Sequence, residues 1–212
     1  MAKQGTGSSS GLALAIGGLT LVIHYLIHPL GENSVYIKQW IWIPAHLIGA
    51  AAWILILAGT FGFYNQYGKT LGRLGSIGFV LALIGGSTRP GELLFLGAIA
   101  GPLIASQTPA MIDPGGVLYM PLLLAVGVAT AIYGVGYLLI AIPVLRAQVV
   151  PKGWTWLVIF SILLAIVTLT AYALGAGVFA LGSVAGVIFS FGLVGWGYSL
   201  WSGWKPEAPH KT

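Results

Sequence analysis

The strongest constraint on this 212-residue chain is a succession of apolar stretches of about 20 residues or more, most of them free of charge. That is the length a helix needs to cross roughly 30 Å of hydrocarbon at about 1.5 Å rise per residue. With 58% hydrophobic and only 6% charged residues, the chain lacks the polar surface to wet a soluble globule. Helices are the expected elements, because an open sheet leaves backbone groups unpaired in lipid. A transmembrane barrel would show alternating segments of about ten residues, and none are seen.

The predicted fold is all-α: a polytopic transmembrane bundle of six spans. They cover 11–30, 40–64, 74–105, 117–145, 154–174 and 178–201, within a membrane domain at 11–204. A polar N-terminal tail, 1–10, and a polar C-terminal tail, 205–212, flank it. Span three is interrupted by Gly85 to Glu92 (GGSTRPGE), so it is either long or broken near Arg89 and Pro90. The apolar run after the interruption, 93–105, is expected to be re-entrant, surface-lying or an extension of the span.

Orientation follows from counting Lys and Arg on each side. Lys3, Lys69, Arg73, Arg146, Lys152, Lys205 and Lys211 share one face, and Lys38 and Arg89 lie towards the other. The first face is therefore expected to be cytoplasmic, with both termini inside the cell and the protein in the cell membrane. Splitting span three into two crossings would destroy this bias. Trp40 and Trp42, Trp154 and Trp156, and Trp201 and Trp204 stand at span ends, as interfacial anchors do.

Small residues form a stripe on span six, where Gly182, Gly186, Gly192 and Gly195 favour close helix packing. The stripe can serve a neighbour in this chain, self-association or another membrane subunit. The net charge of +5 is scattered over several loops, so it fits topology better than nucleic acid.

Three histidines fall in apolar sequence. His24 and His28, at i and i+4, share one face of span one, and His46 sits early in span two. His24 and His46 both lie roughly 9 Å inside the boundary set by Leu30 and Trp40, at about 1.5 Å per residue. Imidazoles at membrane depth invite three readings: hydrogen bonding to carbonyls freed near Pro29 and Pro44, a b-type haem, or contact with a metal or quinone. Arg89 and Glu92 form a second polar constellation, suited either to a kink or to the discontinuous helix of a small transporter acting at 87–92. Asp113, in a turn, is expected to cap or to be solvated.

Several chemistries are absent. There is no cysteine, no lysine within any span to carry a Schiff base, and no HExxH or phosphate-binding loop. No catalytic constellation is legible. The expected role is an accessory or electron-transfer-associated subunit of a larger membrane complex, with the transporter as the alternative.

His28-Pro29, Trp42-Ile43-Pro44-Ala45-His46 and the glycine-dotted segment 67–79 (YGKTLGRLGSIGF) resemble a broad group of uncharacterised multi-pass bacterial membrane proteins. The resemblance continues through 101–105 (GPLIA) and 145–154 (LRAQVVPKGW). It implies the helical membrane fold and carries no activity with it.

Overall fold

A computed structural model describes residues 4–173 and 179–204. The C-terminal tail at 205–212, together with Lys3, Lys205 and Lys211 of the charge count, lies outside the described residues. Among those described there are helices and turns and no strand. Helix α1 is Gln4–Ile27, α2 Ser34–Ile37 and α3 Trp42–Gly91. A π-helix, Glu92–Ala100, continues α3 into α4, Gly101–Gln107; a 3-10 turn, Pro109–Met111, follows. The chain then forms α5, Tyr119–Ala147, α6, Lys152–Ala173, and α7, Phe179–Ser202.

Five helical stretches are long and apolar enough to cross a membrane: Ser9–Ile27, Trp42–Gln107, Tyr119–Ala147, Lys152–Ala171 and Ala180–Ser202. The second holds 66 residues, which at about 1.5 Å each is some three times the hydrocarbon thickness. It does not run straight. Gly72 has φ 62° and ψ −159°, a region essentially confined to glycine, and the chain folds back there. Tyr64 stacks on Phe79 at 4.1 Å, its hydroxyl meets the Ser76 hydroxyl at 2.7 Å, and Gly86 lies beside Trp53 and Leu57.

Antiparallel packing then builds the bundle through glycines that let backbones touch. Gly17 and Gly59 seat α1 against the arm of α3 before Gly72, and Gly11, Gly18 and Gly197 seat it against α7. Gly78, Gly85 and Gly136 join the arm after Gly72 to α5. Of the α7 stripe, Gly186 receives Tyr25, Gly192 receives Val158, Gly195 receives Trp154, and Gly182 faces Thr168. Gly186, Gly192 and Gly195 are thus filled by side chains of this chain, while Gly182 borders two cavities. Trp53, Trp196, Tyr137 and Phe63 fill the core, and the buried hydroxyls of Tyr137 and Thr60 satisfy each other at 2.7 Å.

Three expectations become more specific. The described part of the polar N-terminal segment, from Gln4, is helical and continuous with α1. Span three is long and unbroken, so residues 93–105 extend it. Pro90 has no N–H to give the ladder, and Pro102 repeats the deficit one segment later. Between them the helix widens, the Gly101 N–H reaching back five residues to the Leu96 carbonyl. The segment 85–92 therefore makes no turn and stays helical throughout. Finally, Trp42 is not an interfacial anchor: it is buried, and its indole N–H donates to the Gly97 carbonyl at 2.8 Å. Trp40, 84% exposed, fits the anchor role.

Candidate functional site

Helix α1 ends at Ile27 because His28 is followed by Pro29, which disfavours helical geometry in the residue before it. The i,i+4 spacing nevertheless places His24 and His28 on one face, with ring centroids 5.1 Å apart. His46, one turn into α3, joins them at 6.2 Å from His24 and 4.9 Å from His28. The Trp42 ring lies 4.3 Å from His46 and 5.1 Å from His28. Gly97 faces the His46 ring so closely that no Cβ fits there, and a Cβ on Gly49 would come within 2.7 Å of His24 Nδ1.

Each imidazole is oriented by a backbone carbonyl. His24 Nδ1 donates to Ala45 O, His28 Nδ1 to Pro29 O and His46 Nδ1 to Trp42 O, all at 2.8 Å. A carbonyl can only accept, so the proton of each neutral ring sits on Nδ1, and Nε2 is the basic nitrogen. Structural hydrogen bonding, the first of the three readings, is therefore present, and it sets the tautomer needed for a second role.

The fold-back at Gly72 brings Arg89 and Glu92 to the same place. Arg89 is buried, pairs with Glu92 at 2.5 Å, and stands 6.0 Å over the Trp53 ring. Its Nε–H and the Trp53 indole N–H are buried without hydrogen-bond partners. A cavity of about 210 Å³ has His24, His28, His46, Arg89, Glu92 and Glu32 in its wall. A second, of about 310 Å³, adjoins it across Glu32, His46 and Glu92 and is otherwise largely apolar. A third, of about 240 Å³ between α5, α6 and α7, shares Tyr25 and Arg89 with the first.

All five residues singled out from sequence, His24, His28, His46, Arg89 and Glu92, thus border one cavity. Glu32 was missed. It stands in a short polar loop with no periodicity to mark it, and only the packing turns it inward. Burial, reinforced by repulsion from Glu92 and partly offset by Arg89, pushes its carboxyl up to about 7. Asp113 fulfils the capping expectation across a long sequence gap: its carboxylate accepts from the Ser34 N–H at 2.8 Å and the Ser34 hydroxyl at 3.0 Å. These hydrogen bonds hold it below the usual carboxylate range.

The cluster does not suit a bis-histidine haem. His28 is nearly equidistant from His24 and His46, so its ring stands in the plane midway between them, where the macrocycle would have to lie. The two shorter pairs are too close to be opposite axial ligands, given metal–nitrogen bonds of about 2 Å on each side. Among the described residues no three His, Asp or Glu side chains converge in a geometry that could hold a metal ion. What the arrangement offers is basic imidazole nitrogens, an unpartnered guanidinium N–H and an apolar surround. No family model, curated protein or solved structure matches this chain.

Proposed function

We propose that the protein is a six-span membrane protein with both termini in the cytoplasm, and that its polar centre binds the head of a quinol-type ligand. In this reading it serves electron transfer as an accessory subunit of a larger membrane complex and has no catalysis of its own. The observation that carries the reading is the convergence of His24, His28 and His46 with the Arg89–Glu92 pair on one cavity. A hydroquinone ring carries hydroxyls that can donate to imidazole Nε2, and its quinone form carries oxygens that can accept from the Arg89 Nε–H. Apolar walls with a few placed polar groups are what such a ligand requires.

The topology draws support from the same geometry. Counting the two arms of α3 separately gives six spans. Lys69 and Arg73 flank the Gly72 turn, and Arg146 and Lys152 flank the α5–α6 turn. Gly78 packs against Ile140 and Gly85 against Tyr133, so α5 runs antiparallel to the second arm of α3 and its C-terminal end returns to the level of the Gly72 turn. Arg89, counted against this bias, is buried and paired, which leaves Lys38 as the one such charge at the other end among the described residues. The lipid bilayer covers the outward apolar side chains, and a partner subunit's redox group would take the electrons of the quinol. Because Gly186, Gly192 and Gly195 are filled from within, a partner would seat elsewhere on the bundle.

The test is saturable binding of a short-tailed benzoquinol to the purified full-length protein, followed by quenching of tryptophan fluorescence, with Trp42 in contact with His46. His46→Ala and Arg89→Gln should each weaken binding by about tenfold or more, the equivalent of one lost hydrogen bond to a charged or buried group. Absence of saturable quenching in the wild type would overturn the reading.

A further inference from the structure

The chain has four carboxyl side chains, Glu32, Glu92, Asp113 and Glu207. Glu207 lies outside the described residues. Glu92 is committed to Arg89 and Asp113 to Ser34. Glu32 has no hydrogen-bond or ion-pair partner among the described residues, yet it borders both the 210 Å³ and the 310 Å³ cavities, at the wall they share with His46 and Glu92. Its position is imposed from both sides. Pro29 ends the preceding helix, and Asn33 directly after Glu32 caps α2, its side chain accepting from Val35 N at 3.0 Å and Tyr36 N at 3.3 Å. Ser34 is then clamped by Asp113.

We propose that Glu32 is the carboxyl through which the buried histidine, arginine and glutamate centre exchanges protons with water at the end of the bundle carrying the 28–41 and 108–118 loops. An uncommitted, partly buried carboxyl in a loop, one side towards the imidazoles and the other towards the loops, is placed to take a proton from the centre and pass it out. The titratable and charged groups that share its cavities are His24, Tyr25 and His28, then His46 and Arg89 of α3, Glu92 of the π-helix and Tyr119 of α5. Of these, Glu92 favours the protonated form and Arg89 the ionised one. The carboxyl consequently changes charge close to neutral pH, where a relay can both load and release.

The proposal deepens the quinol reading by naming the proton path of the same centre, but its first test needs no quinol. Infrared titration of the full-length protein in lipid should show a protonated-carboxyl band that disappears with a midpoint near pH 7. The band should be missing in Glu32→Gln, and its midpoint should fall in Glu92→Gln, which removes the neighbouring negative charge. A wild-type band that titrates in the ordinary carboxyl range of about pH 4 to 5, or one that persists in Glu32→Gln, overturns the proposal. If Glu32→Gln does not fold, Glu32→Asp must move the band, and an unmoved band is equally fatal. The second test is the pH profile of benzoquinol binding: a change near the same midpoint in wild type, flattened in Glu32→Gln. Failure of the wild type to bind benzoquinol would sink the quinol reading and leave the infrared result to decide on Glu32.

Discussion

The Nδ1–H of His24 donates to the carbonyl oxygen of Ala45 across 2.8 Å, tying α1 to α3 at the level of the histidine cluster. The bond depends on Gly49, where a Cβ would stand 2.7 Å from that nitrogen. Gly49→Ala is therefore expected to push the imidazole off its carbonyl and to cost about 1–3 kcal/mol, the usual range for overpacking. Thermal unfolding in detergent measures the loss. An unchanged midpoint would show that the ring has room the structure does not provide.

The Arg89–Glu92 pair is buried, so its two halves should not behave alike when removed singly and together. Arg89→Leu leaves a buried carboxylate without its partner and is expected to destabilise by about 3–5 kcal/mol, whereas Arg89→Leu with Glu92→Leu should recover most of that loss. Denaturant titration of the single and double variants checks this, and additive losses would contradict it.

At Gly72 the left-handed φ of 62° occurs with open space around the position, so only backbone strain opposes a side chain. Gly72→Ala should cost about 1–3 kcal/mol. Gly127→Ala, in the interior of α5 and also facing open space, should be neutral or gain up to about 1 kcal/mol in helix propensity. A loss at Gly72 with none at Gly127, read from unfolding midpoints, is the expected result, and equal losses at both would contradict the fold-back as a backbone requirement.

Two carboxyls give pH dependences of opposite sense. Glu32 has its folded value raised from 4.5 to about 7, so between those values the folded state holds a proton that the unfolded chain has released. Stability should then fall as pH rises through that window, and Glu32→Gln should flatten the slope. Asp113 is held below its ordinary value by the Ser34 bonds. Its clamp is fully present above about pH 4 and lost only as pH falls through the lower folded value. The protection of the amides at residues 34–37, relative to their intrinsic exchange at each pH, should stay constant from neutral pH down to about 4 and be reduced in Asp113→Asn. Loss of protection already at pH 6 would assign the clamp to another group.

The chain's lack of cysteine makes it suited to labelling from either side. Single cysteines at Lys69 and Lys152 should react with an impermeant thiol reagent only from the cytoplasmic face, and those at Lys38 and Met111 only from the other. Any pair at one end of the bundle that labels from opposite faces would refute the six-span arrangement.

Composition and the length of the apolar stretches determined that the chain would be a bundle of membrane-length helices, because few other structures satisfy every backbone group without water. The i,i+4 spacing likewise determined that His24 and His28 would share a face. That is local geometry. The sequence could not place Arg89 and Glu92 beside those histidines, since that depends on the fold-back at Gly72 and on which glycine gap each helix fills. Nor could it turn Trp42 inward to Gly97, replace a break at Pro90 by a widened helical turn, or bring Glu32 to the shared wall of two cavities. Each of these is decided by contacts between residues far apart in the chain, where small side chains allow close approach and a buried polar group must find its partner.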